Sequence, residues 1–327
     1  MARWNQLRRA IAISALAAAA AFGPWTAPCA AAGAAMVKAS APGYYRMMLG
    51  DFEITALSDG TFRMTAGDVL INATPQQVQQ ALARSYLTDP VDASVNAFLV
   101  NTGSKLVLID TGAGTFFGPT LGKLLANLKA SGYQPEQVDE IYITHLHPDH
   151  IGGLMSGENL AFPNAILRAD QSDADYWLSQ QNLVQAASAQ AKSSFQDAAA
   201  SVNPYAKAGH FKSFEGDQEL VPGIRSVATH GHTPGHNCYL IESKGRKLLV
   251  LGDLIHVGAV QFPDPAIALK YDADVKTAAL VRESVFADAA DHGTMLAGAH
   301  LSFPGLGNLR RQGKGYQWIP VNYSVVR

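Results

Sequence analysis

Cysteine is nearly missing: Cys29 and Cys238 are the only two in 327 residues. A disulfide framework needs more, and a single intramolecular bridge would need both. Gly-x-Ser-x-Gly does not occur, and no exposed Ser or Cys nucleophile arrangement takes its place. Charge of one sign is also scarce. Charged residues make up 16% of the chain and the formal net charge is -2, so no electrostatic footprint for nucleic acid exists. No repeat or long low-complexity linker interrupts residues 45–320. Hydrophobic residues, at 48%, suffice for a substantial core in a chain of this length.

The one long apolar run lies at the start. Arg3, Arg8 and Arg9 precede the alanine-rich stretch Ala10 to Phe22, and small residues follow from Ala30 to Ala35. This pattern predicts an export signal over residues 1–35 that is removed on the way to the periplasm or the medium. The run is short and alanine-heavy for a span of roughly 20 residues, which argues against a retained anchor. Arg8-Arg9 also permits twin-arginine export. Cleavage would remove three arginines and no acid, taking the charge from -2 to 22 minus 27, or -5. It would also remove Cys29 and leave Cys238 as the only thiol, in a strand-like run where packing is its expected role. Residues 36–327 are then expected to form one hydrolase domain.

Along the mature chain, Phe52–Leu57 and Phe62–Met64 flank Asp59-Gly60, which reads as a hairpin turn. Ala97–Val100 and Lys105–Ile109 bracket another, and the second strand ends in Asp110-Thr111-Gly112. Asp110 there either approaches a site or bonds its own backbone. Leu121–Leu128 has helical spacing and Val138–Thr144 reads as the next strand, an α/β order. A helical insertion is expected at about 170–202, and a final helix over Val275–Ala290.

The densest chemistry lies at the end of the Val138–Thr144 strand. Thr144-His145-Leu146-His147-Pro148-Asp149-His150 places four ligand-type side chains within six residues. Imidazole and carboxylate together suit zinc, with manganese, cobalt or iron as substitutes. On an extended chain His145 and His147 point the same way, so one ion can take both. Three later elements supply more. Gly231-His232-Thr233-Pro234-Gly235-His236 offers His236 as the expected ligand, with His230 and His232 in supporting roles. Asp253 ends the apolar run Leu249–Leu251, and His300 ends another. The count suggests two ions: His145, His147 and His236 on one, Asp149, His150 and His300 on the other, and Asp253 bridging. Two adjacent cations would acidify a shared water and polarise the substrate oxygen, which favours hydrolysis. No carrier module for redox chemistry is visible.

Together these residues resemble the metallo-β-lactamase superfamily, which implies a four-layer αββα sandwich with two metals at one edge. A narrower resemblance covers almost all of the mature chain. Ala41–Arg46, Phe117–Gly122, His300–Gly305, Gly315-Tyr316 and Pro320–Ser324 are similar to the bacterial methyl parathion hydrolase family. That likeness implies an exported dimetal enzyme, commonly a homodimer, acting on small phosphotriesters, lactones or aryl esters. It also implies that Phe117, Trp177 and Phe195 line an aromatic leaving-group pocket. One departure is His256, three residues past Asp253, where the pesticide-degrading members carry leucine. Ala266–Leu269 also lacks their pair of threonines. A histidine at the pocket wall narrows the space for a bulky phosphotriester and can bond a carbonyl, so Asp253 and His256 are the candidate catalytic residues. The expected reaction is opening of lactones or cleavage of aryl esters, dihydrocoumarin-like, with phosphotriester cleavage as the alternative. Acyl-homoserine lactone or β-lactam hydrolysis ranks lower, and a metal-binding structural protein is the non-enzyme alternative. Nucleic acid and stable membrane insertion are not expected.

Overall fold

The computed structural model describes residues 34–38 and 40–326. The candidate export signal at 1–35, Cys29 included, lies almost wholly outside them. Residues 34–38 and 40 have no regular secondary structure, and the compact unit that carries every element below begins at Ala41. No described helix is long and apolar enough to cross a membrane.

Two seven-stranded sheets face each other. The first runs β1 (Tyr44–Leu49), β2 (Phe52–Met64), β3 (Val91–Asn101), β4 (Leu106–Ile109), β5 (Glu140–Tyr142), β6 (Ile166–Asp170) and β7 (Phe211–Phe214), in that spatial order. Its first four strands pair antiparallel and the rest parallel. The second contains β8 (Glu219–Val221), β9 (Ile224–Ala228), β10 (Asn237–Ser243), β11 (Arg246–Val250), β12 (Met295–Ala297), β13 (Leu306–Gln312) and β14 (Gly315–Pro320). Only β11 and β12 pair parallel, because the long helix between them makes the crossover.

Alternation along the strands builds three apolar layers. Ile54, Phe98, Val100, Val107 and Ile109 from the first sheet meet Tyr239, Ile241, Leu248 and Val250 from the second. The outer face of the first sheet packs on α2 (Leu124–Ala130) and α5 (Ala189–Lys207) through Leu128, Ala198 and Val202. The outer face of the second packs on α6 (Val275–His292) through Phe286 and Ala289. The result is the expected order helix, sheet, sheet, helix. Between Met64 and Val91, α1 (Pro75–Arg84) is closed by a Thr74/Gln77 capping box and buries Val78 and Leu82 in a satellite core. The 170–202 region forms α3 (Gln171–Trp177), α4 (Gln180–Gln185) and the start of α5.

Asp59-Gly60 is not a hairpin turn. β2 runs straight through it, with a register shift between Ser58 and Gly60 against β3. The bulge turns the Asp59 carboxylate inward, where it accepts from the Ala113, Gly122 and Leu124 N–H groups at 2.9–3.0 Å. Asp59 thus clasps both ends of the loop that carries Phe116 and Phe117. Cys238 is fully buried in β10, and burial pushes its thiol up to about 12, so it is an inert packing residue.

Candidate metal centre

The site sits where several strands of both sheets end on one edge. Ile143 and Thr144 extend β5, and the chain then turns into a single helical turn, Pro148–Ile151. Asp110, in the left-handed region at φ 61°, fixes that turn. Its carboxylate accepts from the Thr144 N–H at 2.8 Å and the Thr144 hydroxyl at 2.9 Å, and it holds His150 Nδ1 at 2.8 Å. Of the two readings for Asp110, the approach to the site is the observed one.

Four atoms converge first. His145 Nε2 is 2.9 Å from His147 Nδ1, which in turn is 3.1 Å from His232 Nε2. Asp253 Oδ2 lies 3.2 Å from His232 Nε2 and 3.5 Å from His145 Nε2. A second group faces the other oxygen of the same carboxylate. Asp253 Oδ1 is 3.0 Å from His150 Nε2 and 3.1 Å from His300 Nε2, while Asp149 Oδ2 is 3.4 Å from His300 Nε2. His145, His147, His232 and Asp253 thus form one candidate ligand set, and Asp149, His150 and His300 another.

Protons alone do not account for these contacts. His147 Nδ1 can share a proton with only one of its two imidazole neighbours. His150 Nε2, His300 Nε2 and Asp253 Oδ1 are buried and have no hydrogen-bond partner. Cations between these atoms would satisfy all of them, and the nitrogen and oxygen donors suit zinc. The opposite ring nitrogens are already engaged, which sets each imidazole's orientation: His150 by Asp110, His232 by Asp272 at 2.7 Å, and His300 by the Ser94 carbonyl at 2.9 Å.

The charges follow from this crowding. Burial alone would raise the Asp253 carboxyl, but His150, His256, His300 and His145 around it hold it well below the usual range. Burial pulls His147 down to about 3, reinforced by His232. His232 goes the other way: burial is outweighed by Asp253 and Asp272, which lift it to about 9.

The structure corrects the ligand expected from the 231–236 loop. His236 is fully buried with both nitrogens spent. Nδ1 lies 2.9 Å from the Thr229 hydroxyl, and Nε2 accepts from the Asp253 N–H at 3.0 Å. It orients Asp253 instead of facing the ions, and His232 takes the ligand position. Gly252 makes this possible: at φ 52°, any Cβ would come within 2.6 Å of His236 Nε2. His256 does reach the site, with Nε2 2.8 Å from Asp253 Oδ2 and its ring stacked on His300 at 4.7 Å.

A cavity of about 680 Å³ opens over this floor. Phe117 and Trp177 line it as expected, and Trp177 stands edge-on to His147 at 5.1 Å. Phe195 does not. It is buried behind Trp177, ring centroids 4.7 Å apart, as part of the core under the first sheet. Phe62 lines the cavity as well, 6.1 Å from both Phe117 and His300. From the sequence alone, Phe62 reads only as the start of a strand after a hairpin turn. Polar side chains also line the cavity: Gln190, Ser193, Ser194 and Asp197, at helical spacing on α5.

A paired-sheet αββα fold with two ligand groups sharing one carboxylate defines a metal-dependent hydrolase. Residues 91–300, more than half of the chain, match the metallo-beta-lactamase superfamily, and the chain belongs to it. Among solved structures it is similar to the hydrolase AbOPH of the beta lactamase superfamily, at 39% identity and a TM-score of 0.84, over 88% of this chain and 100% of that one. It is also similar to AidC, a dizinc quorum-quenching lactonase in complex with the product N-hexanoyl-L-homoserine, at 27% identity and a TM-score of 0.78, over 86% and 99%. Among curated proteins it is 31% identical to an N-acyl homoserine lactonase of Bacillus sp. over 173 residues, 47% of this chain. The chain spans about 60% of that relative's length.

Proposed function

We infer that the protein is a two-metal lactonase whose preferred substrates are N-acyl homoserine lactones. The observation that carries this reading is the pairing of a floor of five imidazoles and two carboxylates with a cavity lined by both aromatic and polar side chains. An acyl homoserine lactone has the matching parts: a ring ester, an amide and an apolar chain. The similarity to AidC and to the Bacillus lactonase supports the same class. It moves dihydrocoumarin-like aryl lactones to second place among the lactones.

His145, His147, His232 and Asp253 would hold one ion, and Asp149, His150, His300 and Asp253 the other. The pair would supply Lewis acidity and a water acidified toward neutral pH. The protein's own groups do the positioning. Phe62, Phe117 and Trp177 shield the reacting ester from bulk water and take up the apolar arm. Gln190 and Ser194 on α5 offer partners for an amide. His256, held against Asp253, limits the width of the floor beside His300.

A second reading is cleavage of aryl phosphotriesters, favoured by the same aromatic side chains, which suit an aryl leaving group. The test compares kcat/KM for N-hexanoyl-homoserine lactone, dihydrocoumarin and methyl parathion on one zinc-loaded preparation. A tenfold lead for the acyl homoserine lactone, about 1.4 kcal/mol in the transition state, is the expected result. A lead for methyl parathion would establish the second reading, and inactivity on all three would sink both. Export and a homodimer belong to this proposal as well. Cell fractionation checks the first and sedimentation of the purified protein the second.

A further inference from the structure

Asp173 is a fully buried carboxylate. It lies on α3 and belongs to neither ligand group. Oδ2 accepts from the Leu146 N–H at 2.8 Å, and Oδ1 accepts from the Gly235 N–H at 2.7 Å. Leu146 stands between His145 and His147. Gly235 lies in the turn that presents His232. One side chain therefore ties together the two loops that supply all three imidazoles of one ligand group.

The chemistry explains why this residue is an aspartate. Burying a carboxylate is costly and pushes its pKa up. An asparagine would be cheaper to bury, but it has only one acceptor oxygen. Its amide nitrogen would face a second N–H, donor against donor. Two backbone donors approaching from opposite sides need two acceptors at this spacing, and only aspartate fits. Gly235 is matched to the contact, since a Cβ there would lie 2.4 Å from the Asp173 nitrogen and 2.6 Å from Asp170 Oδ1. One turn further along α3, Trp177 packs against His147. The other ligand group is anchored elsewhere: His150 by Asp110 and His300 by the Ser94 carbonyl.

We propose that Asp173 is a positioning residue that sets the spacing between the His145–His147 loop and the His232 loop. The ion held by that group depends on it directly, and the ion held with Asp149, His150 and His300 only through the shared Asp253. This rests on the two-ion centre proposed above, though not on the choice of substrate.

The experiment measures zinc affinity by chelator competition on the full chain, for the wild type, Asp173→Asn and Asp110→Asn. Anomalous scattering from crystals of each loaded protein assigns the occupancy of the two positions. Asp173→Asn should weaken the ion at His145, His147 and His232 by about 10- to 100-fold, the usual effect of removing a group behind a ligand. The other ion should lose less than this, and only what the shared Asp253 carboxylate passes on. Asp110→Asn should show the greater loss at the His150 position. The asparagine keeps the volume of the aspartate, so the variant is testable even where Asp173→Ala fails to fold. Equal weakening of both ions in Asp173→Asn, or wild-type affinity at both, would overturn the proposal. Fewer than two ions in the wild type would overturn it together with the two-ion centre. Two ions without turnover of any lactone would overturn the substrate reading alone.

Discussion

His232 provides the sharpest quantitative test, because its proton and its ion compete for one nitrogen. Asp253 and Asp272 lift its imidazole to about 9 against burial, from an ordinary value near 6.5. At about 1.4 kcal/mol for each tenfold change in proton affinity, that rise is worth about 3 kcal/mol. The folded pKa lies above the unfolded one. The stabilisation is therefore fully present below about pH 6.5 and is lost as pH rises through about 9. In the metal-free protein, urea unfolding at pH 6 and pH 10 should show a drop in stability that is smaller by about 3 kcal/mol in His232→Gln. Asp272→Asn should show much of the same reduction, since it leaves the imidazole but removes one of the carboxylates that hold its proton. Zinc displaces the proton, so zinc affinity should climb by about tenfold per pH unit between pH 7 and 9, with proton release visible by titration calorimetry in buffers of differing ionisation enthalpy. A pH slope in His232→Gln within about 1 kcal/mol of the wild type would refute the reasoning.

His236→Ala should still bind two zinc ions by elemental analysis, while losing about 1–3 kcal/mol because the Asp253 N–H is left without an acceptor; loss of one ion would return His236 to the ligand set. Arg282 is fully buried and donates to the carbonyls of Leu254, Pro265 and Ile267, with Asp272 at 3.8 Å. Arg282→Met should therefore cost about 3–5 kcal/mol in chemical denaturation, and a cost below about 1 kcal/mol would show that these buried contacts contribute little. Phe195→Ala should lower stability by about 3–5 kcal/mol with little change in KM. Trp177→Ala should raise KM for an acyl substrate by more than its neighbour does; the reverse order would put Phe195 in the cavity after all.

The legibility of this chain follows the range of the interactions. Short-range signals read correctly: β5 leading into the dense histidine turn, Asp253 after an apolar strand, and the α/β order that places both at a sheet edge. The likeness carried by those motifs anticipated the layered fold. What failed needed information from distant residues. Nothing between Gly231 and His236 says which histidine faces the ions. That is settled by Asp272, forty positions on, which engages His232, and by Thr229 and the Asp253 N–H, which occupy His236. Asp59-Gly60 has turn composition, but the donors that draw its carboxylate inward come from residues 113–124, and a bulge results. Phe195 has the right residue type for a pocket wall, yet its place on α5 aims it at the core. Its neighbours at 190, 193, 194 and 197 face the cavity.

Asp253 presents one oxygen to each ligand group, so neither ion is an independent guest. The two binding events are thermodynamically linked, and whatever factor one ion imposes on the other's affinity is returned in full. Where the shared carboxylate favours double occupancy, one equivalent of zinc yields a mixture of empty and full chains. Where the repulsion of two cations dominates, it yields chains with a single ion. The state of a partly loaded sample is then set by the sign of that coupling, and an average ion count alone does not describe it.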